Sequence, residues 1–289
     1  MKKITILWLV VLLTIGAGVE AQTTTGLSRN ANLSLFSGYL LKQQNINCNA
    51  YYYGVYADYP FVRGEKINFG VWGVYDQSNF QDNISRYKSA SSEMIVGLNT
   101  GIYLDPKLGS LYSFYGGLGV GYKYGREVGT VNKKNYFSEG IQTDKMIVYN
   151  VNLNLFRNAR WLPRTQLVFS WQTSLNSKKT LSENGHPVVM SQAWNRGYYE
   201  ITLKQSLVDI PLNLSGDLLL EPKLGISYGH YAEGFPESYS PIVEIAFKRL
   251  FHDDFLSFTC QYKSYPGKDT NYFVFGLSFN LLRIVEKRK

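Results

Sequence analysis

The sequence is poor in the residue types on which disulfide-rich domains and many enzymes depend. It has two cysteines, three histidines and a charged fraction of 18%, against about 25% charged residues in ordinary soluble domains. Two cysteines are too few for a disulfide scaffold. Cys48 falls in a predicted loop and Cys260 in the middle of a predicted strand, so we expect no bond between them.

Long apolar runs are also missing, except at the N-terminus. There, two lysines precede an apolar segment over residues 4–15, and small side chains follow up to Ala21. This pattern predicts a secretory signal peptide over residues 1–21. The apolar segment is shorter than the roughly 20 residues that a spanning helix needs. No later segment approaches that length, so the sequence excludes a helical membrane protein.

Aromatic residues, in contrast, are abundant. They make up 15% of the chain, with 23 tyrosines against 16 phenylalanines, and the formal net charge is +8. A tyrosine ring has an apolar body and a polar tip, which suits a protein with wide boundaries between apolar and wet surroundings.

Period-two alternation of apolar and polar residues recurs along the whole chain, as it does in strands with two unlike faces. In the last segment, Phe273, Phe275 and Leu277 alternate with Val274, Gly276 and Ser278. The pattern predicts twelve strands, near residues 31–41, 51–61, 66–76, 92–104, 111–124, 145–156, 165–176, 197–208, 217–229, 240–250, 255–264 and 271–282. Their lengths are close to the roughly 9–11 residues of a tilted membrane strand.

The connections between these strands alternate in length. Long polar loops are predicted over residues 42–50, 77–91, 125–144, 177–196 and 230–239, and short turns over 62–65, 105–110, 157–164, 209–216 and 251–254. Short periplasmic turns and long extracellular loops are typical of membrane β-barrels. An even number of strands would return both termini to the periplasm.

The two strand faces distinguish a membrane barrel from a soluble β-sandwich or lipocalin-like barrel, which also alternate. The apolar face is bulky and aromatic, and the polar face is rich in Asn, Gln, Ser and Gly with charges of both signs. A soluble barrel would carry more charge on its outer face. In a membrane barrel the apolar face points outward to lipid and the polar face lines the lumen. Barrel closure also pairs every backbone N–H and C=O group, which a hydrocarbon environment requires.

From Gln22 to about Arg283 the chain resembles the outer-membrane β-barrel superfamily, and the final aromatic strand, Phe273 to Phe279, resembles the strand that the barrel-insertion machinery recognises. A short basic tail over residues 284–289 departs from that pattern. The resemblance implies a bacterial outer-membrane location, contact with outer-membrane lipids and lipopolysaccharide, and the insertion machinery as a partner. We expect no nucleic-acid partner and no cofactor.

One segment resembles the His-x-Ser-Asn-Gly segment of the outer-membrane phospholipase family. His230 and Gly234 match, but Ala232 occupies the position of the nucleophile. An alanine cannot attack an ester, and Ser227 falls on the opposite strand face from His230. Ser238 and Ser240 fall in and just after the following predicted loop and could approach His230, but nothing in the spacing requires it. We therefore expect no catalytic residues, and lipid hydrolysis is only a distant third hypothesis.

The other histidines indicate no chemistry. His186 falls within a predicted loop and His252 in a predicted periplasmic turn. Asp253 and Asp254 adjoin His252, but no second cluster at ligand spacing accompanies them, so we expect no metal site.

The remaining candidates are polar residues of the predicted inner face: Asp76, Glu93, Lys123, Asn150, Asn152, Asn154, Glu200, Lys204, Glu221, Lys223, Glu244 and Lys248. Their charges would either pair and close the lumen or line a porin-like path for small polar solutes. A channel is the first functional hypothesis. The alternative is a surface-binding or structural barrel that acts through extracellular loops such as 125–144 and 177–196.

Overall fold

The computed structural model describes residues 32–40, 48–64, 66–82, 86–104, 112–133, 136–157, 163–183, 186–190, 197–213, 218–230, 237–248, 256–265 and 270–280. The predicted signal peptide (1–21) and basic tail (284–289) lie outside these residues and stay predictions. The described part contains no helix that is long and apolar enough to span a membrane.

All regular structure in this part is β-strand. The strands are β1 (Asn32–Leu40), β2 (Cys48–Arg63), β3 (Ile67–Asp82), β4 (Tyr87–Leu104), β5 (Tyr112–Lys133), β6 (Tyr136–Arg157), β7 (Arg164–Glu183), β8 (His186–Met190), β9 (Gly197–Ser206), β10 (Ile210–Pro211), β11 (Leu219–His230), β12 (Ser238–Lys248), β13 (Leu256–Tyr265) and β14 (Thr270–Asn280).

Twelve of these strands form a closed antiparallel barrel, which confirms the predicted strand number. Each strand from β1 to β7 pairs with the next, and β11 to β14 do the same. β14 pairs with β1, and β9 joins β7 to β11. β8 only extends the pairing of β7, and β10 adds two residues beside β11. Each of the twelve described wall strands has a neighbour on both sides, so the ladder can satisfy the backbone groups of the wall.

The two faces of the wall have opposite character. On the outer face, Val96, Leu98 and Leu118 are 57%, 59% and 56% exposed. On the inner face, Trp72 and Val148 are 2% and 1% exposed. Large apolar side chains at this exposure would be costly in water, whereas a lipid environment requires them.

Aromatic side chains border the apolar outer belt. Towards the end where the long hairpins turn (the hairpin end) lie Tyr39, Tyr51, Tyr53, Tyr75, Tyr122, Tyr124, Tyr149, Trp171 and Tyr239, and towards the opposite, short-turn end lie Tyr59, Phe61, Phe69 and Phe114. Tyr53 and Phe61 both lie on β2, eight steps apart at roughly 3.3 Å per residue. At a tilt of about 40° this separation spans about 20 Å, close to the roughly 25 Å apolar band of membrane barrels.

The predicted lengths of several strands and loops were wrong. β5 and β6 each have 22 residues, and their hairpin replaces most of the predicted loop 125–144. β3 and β4 likewise continue through most of 77–91, and β7 and β8 occupy much of 177–196. Above the lipid both faces of a hairpin are wet, so the alternation fades although the backbone ladder continues. The sequence pattern therefore marks only the lipid-embedded part of each strand.

A small apolar cluster covers part of the inner wall on β2–β6. It consists of Tyr56, Trp72, Val74, Ile95 and Val148, with Phe36 packed against it. This cluster interrupts the otherwise polar lining that the sequence pattern predicts.

Candidate functional site

Glu221 is the centre of a charged network on the inner wall near the short-turn end. Its carboxylate lies 2.7 Å from Arg164 Nη2, 2.5 Å from Lys248 Nζ and 3.7 Å from Lys223 Nζ. The side chain has no solvent exposure. A carboxylate removed from water in this way needs several cationic partners, because one ion pair rarely offsets the cost of desolvation.

A second acid, Glu244, extends the network. It lies 2.9 Å from Lys204 Nζ and 2.5 Å from Lys223 Nζ, so Lys223 contacts both carboxylates. Lys204 also donates a 3.0 Å hydrogen bond to Gln261 Oε1. Because β11 and β12 lie between the strands of Lys204 and Gln261, this bond runs through the lumen rather than along the wall.

The charges of this network nearly balance. Four cations, Arg164, Lys204, Lys223 and Lys248, meet three carboxylates, Glu221, Glu244 and Asp209. Each cation is within 4 Å of a carboxylate oxygen. The network therefore links neighbouring strands on one side of the lumen. Its charges do not form a ring of a single sign.

Glu200 makes hydrogen bonds with hydroxyl groups on β9 and β11. It accepts a 3.1 Å hydrogen bond from Thr202 Oγ1 and another from Ser227 Oγ. Strand parity placed Glu200 on the inner face, but parity does not determine which side chains the barrel curvature brings together.

A second polar group lies nearer the hairpin end, on β3–β7. Lys123 Nζ is 2.6 Å from Glu93 Oε2 and donates to Gln172 Oε1 at 3.2 Å. Asp76 is the lateral partner of Glu93. The Glu93 side chain keeps 36% of its exposure, against 10% for Lys123, so the carboxylates face a wetter part of the lumen than the lysine does.

Asparagines line the inner face of β6. Asn150, Asn152 and Asn154 are 1%, 0% and 7% exposed, and Asn154 Nδ2 donates to Asn152 Oδ1 at 2.8 Å. All twelve residues selected from the sequence lie on inner-face positions of the strand register. Their role in moving a solute stays a prediction.

Several inner-wall residues of these groups were not predicted from the sequence. Arg164 and Asp209 lie at the short-turn end, where the alternation is weak. Gln172, Asn68 and Asn99 fit the alternation, and parity alone would have identified them. These side chains are uncharged amides, and the sequence alone did not distinguish them as candidate site residues before their burial was known.

Near His230, at the rim of the hairpin end, two tyrosines hold one carboxylate, and we call this group the carboxylate clamp. Tyr199 and Tyr228 both donate hydrogen bonds to Glu237, which precedes β12. These bonds hold the pKa of Glu237 below its ordinary value. The His230 ring stacks on Tyr198 at 6.2 Å between centroids.

Ser227 does not present its hydroxyl to the rim as a nucleophile. Ser227 is fully buried on the inner face and bonds Glu200 and Thr202. His230 lies at an outward position of the same strand. Ala232 lies outside the described residues, and its lack of a hydroxyl follows from the sequence alone.

Basic side chains lie on the outer face at and just above the level of the tyrosines of β5 and β6. Arg126, Lys145 and Lys178 are exposed, and we call them the basic band. Lys145 is the lateral partner of Tyr124, and Thr143 pairs with both Arg126 and Lys178. The three cations therefore lie within two strand spacings of one another, roughly 10 Å at about 4.8 Å per spacing.

Neither the lumen nor the rim offers a metal centre within the described ranges, where no group of three or more His, Cys, Asp or Glu side chains converges. Cys260 is a free thiol at an outward-facing position, paired laterally with Phe275.

No family model and no curated protein matches the sequence. Among solved structures, the chain is similar to the translocator domain of the autotransporter NalP from Neisseria meningitidis, with a TM-score of 0.58, 11% identity, and coverage of 86% of this chain and 88% of that chain. The β domain of the Bordetella autotransporter Brka gives a TM-score of 0.56, 11% identity, and coverage of 87% and 99%. The transport unit of the autotransporter AIDA-I from Escherichia coli gives 0.53, 11%, and coverage of 89% and 91%.

At this identity the likeness concerns the fold. It agrees with the closed ring and with the apolar outer belt, which are properties of this chain itself. The chain has the closed antiparallel β-barrel fold that these autotransporter domains share.

Proposed function

We propose that this protein is a surface-acting barrel with a closed lumen that binds the anionic headgroups of outer-leaflet lipid. The observation that carries the proposal is the basic band, three exposed cations at and just above the level of the tyrosines that border the apolar belt. Tyrosines lie at the headgroup level of a membrane protein. The basic band therefore faces the phosphate layer of lipopolysaccharide.

The lumen supports a surface role because its charges are engaged with one another. Glu221 and Glu244 are 0% and 6% exposed and each has at least two cationic partners. An open aqueous pore would leave such groups hydrated. The hairpins of β3–β8, which continue beyond the tyrosines, add a polar surface outside the membrane where further partners would bind.

Lipid retention tests the proposal. The triple variant Arg126→Gln, Lys145→Gln, Lys178→Gln should lose lipopolysaccharide that copurifies with the parent, as measured by native mass spectrometry. At about 1 kcal/mol per cation near an anionic surface, the three changes together correspond to roughly a hundredfold weaker binding.

Lys66→Gln is the matched control, because Lys66 is exposed at the short-turn end. Equal lipid retention in the triple variant and this control would reject the surface role.

A narrow channel for small polar solutes is the second candidate. The half-exposed Glu93 beside Lys123 favours it, because these groups form a polar entrance from the hairpin end. Purified protein in planar bilayers should then give discrete conductance steps. Absence of conductance steps at all voltages and salt concentrations would reject the channel and leave the surface role unaffected.

A further inference from the structure

Two buried asparagines flank a glycine on the inner wall. Asn99 on β4 is the lateral partner of Gly119 on β5, and Gly119 is the lateral partner of Asn150 on β6. Asn99 is 5% exposed and Asn150 is 1% exposed. Both amides are therefore withdrawn from bulk solvent, at the same level of three adjacent strands.

The carboxamides of both residues have no hydrogen-bond partner in the described structure. This holds for Nδ2 and Oδ1 of Asn99 and for Nδ2 and Oδ1 of Asn150. A buried polar group left without a partner costs about 1–3 kcal/mol, and native structures nearly always provide one. Four such atoms in one row indicate a guest that supplies the missing bonds.

Gly119 places no side chain between the two asparagines. A Cβ at this position would meet nothing closer than Trp72 Nε1 at 3.4 Å, Leu98 O at 3.8 Å and Asn150 Cβ at 3.9 Å. Gly97 and Gly121, in contrast, are filled by the Trp72 ring, because a Cβ there would approach it within 2.6 and 2.9 Å. The indole therefore forms a side wall of the space above Gly119.

The row carries no formal charge. Its outer neighbours are Gly70 beside Asn99 and Ser170 beside Asn150. Asn99 Oδ1 lies over Gly70, 2.6 Å from where a Cβ of Gly70 would be. On β2, the carboxyl of Asp58 accepts a 3.3 Å hydrogen bond from Tyr56. Each amide offers one donor group and one acceptor, a combination that a hydroxyl group satisfies and that a bare ion does not.

The same alternation recurs one step towards the short-turn end. There Asn68, Gly101, Gly117 and Asn152 are successive lateral partners across β3–β6. Asn68 and Asn152 are 1% and 0% exposed. Two rows of amides and glycines therefore lie on the β3–β6 side of the lumen. The charged network, in contrast, lies on β7–β13.

We propose that the Asn99–Gly119–Asn150 row is a binding site for a small uncharged hydroxyl-bearing molecule, either water or a short polyol. The molecule would lie over Gly119 beside the Asn150 carboxamide and extend to the Asn99 carboxamide, whose Oδ1 lies over Gly70. This site is independent of the surface role, because it uses no residue of the basic band.

NMR on full-length protein with ¹⁵N-labelled asparagine tests the site. The carboxamide protons of Asn99 and Asn150 should show cross-peaks to water, or shift saturably when glycerol is added. Saturable shifts identify a polyol site, and water cross-peaks without shifts identify a water site. Absence of both in the parent protein overturns the proposal.

A methyl group above Gly119 gives the matched comparison. Gly119→Ala should abolish these signals because the new Cβ occupies the guest's space. Gly116→Ala is the control, since its Cβ would lie at 3.4 Å from Phe114 and 3.6 Å from Leu153 on the outer face, and it should leave the signals intact. Signals that persist unchanged in Gly119→Ala would overturn the assignment.

Discussion

The indole of Trp72 lies against the bare backbone of Gly97, its lateral partner on β4. A Cβ at Gly97 would approach Trp72 Nε1 to 2.6 Å and the backbone oxygen of Val120 to 2.3 Å. Trp72 Nε1 in turn donates to Leu98 O at 3.3 Å. A strand glycine, normally destabilising, here provides the room that lets a large ring lie flat on the inner wall.

The first prediction concerns this contact. Gly97→Ala should destabilise the barrel by about 1–3 kcal/mol, the usual cost of overpacking, because a backbone oxygen of β5 cannot rotate away. Gly116→Ala on the outer face should leave stability almost unchanged. Urea unfolding, followed by the electrophoretic shift between folded and unfolded barrel, measures both. Equal unfolding midpoints would contradict the packing role of Gly97.

The second prediction concerns Glu221. Glu221→Gln removes the common partner of Arg164, Lys223 and Lys248. Breaking a buried ion pair from one side costs about 3–5 kcal/mol, and the residual contacts of Lys223 with Glu244 and of Lys248 with Asp209 place the expected loss near the lower end. The same urea assay measures it.

Glu139→Gln, a change of the same kind at a half-buried position of the β6 hairpin, serves as the control for Glu221→Gln. It should shift the unfolding midpoint little. A network that contributes nothing would give the two variants equal midpoints.

The third prediction is a pH dependence at the rim. The hydrogen bonds from Tyr199 and Tyr228 lower the pKa of Glu237. Their contribution to the stability of the fold is therefore present above the ordinary carboxyl pKa and is lost as the pH falls through the lowered pKa. Glu237→Gln should therefore lower the thermal unfolding midpoint at pH 7. The difference from the parent should shrink as the solution is acidified. A difference that is constant with pH would reject the clamp.

The fourth prediction concerns the phospholipase-like segment. Phospholipid incubated with the parent protein should release no more fatty acid than a protein-free blank, and His230→Ala should behave in the same way, because Ala232 cannot act as a nucleophile. Release that depends on His230 would establish a hydrolase and require another nucleophile.

Individual elements show how far the sequence leads. The last strand, with Phe273, Phe275 and Leu277 on one face, is found as predicted, and these residues pair laterally with outward positions of β1 and β13. The predicted strand near 197–208 is also present, as β9. The hairpin of β5 and β6 was missed because residues 125–144 no longer alternate once both strand faces are wet.

The sequence by itself determined the strand number, the orientation of the two faces and the closed antiparallel class, because alternation between lipid and lumen is a local property of each strand. The tertiary structure alone decided which inner residues meet. Arg164 reaches Glu221 across 57 positions of the chain, and Asn99 and Asn150 come to flank Gly119. These contacts depend on strand register and ring closure, which are long-range and leave no periodic trace in the sequence.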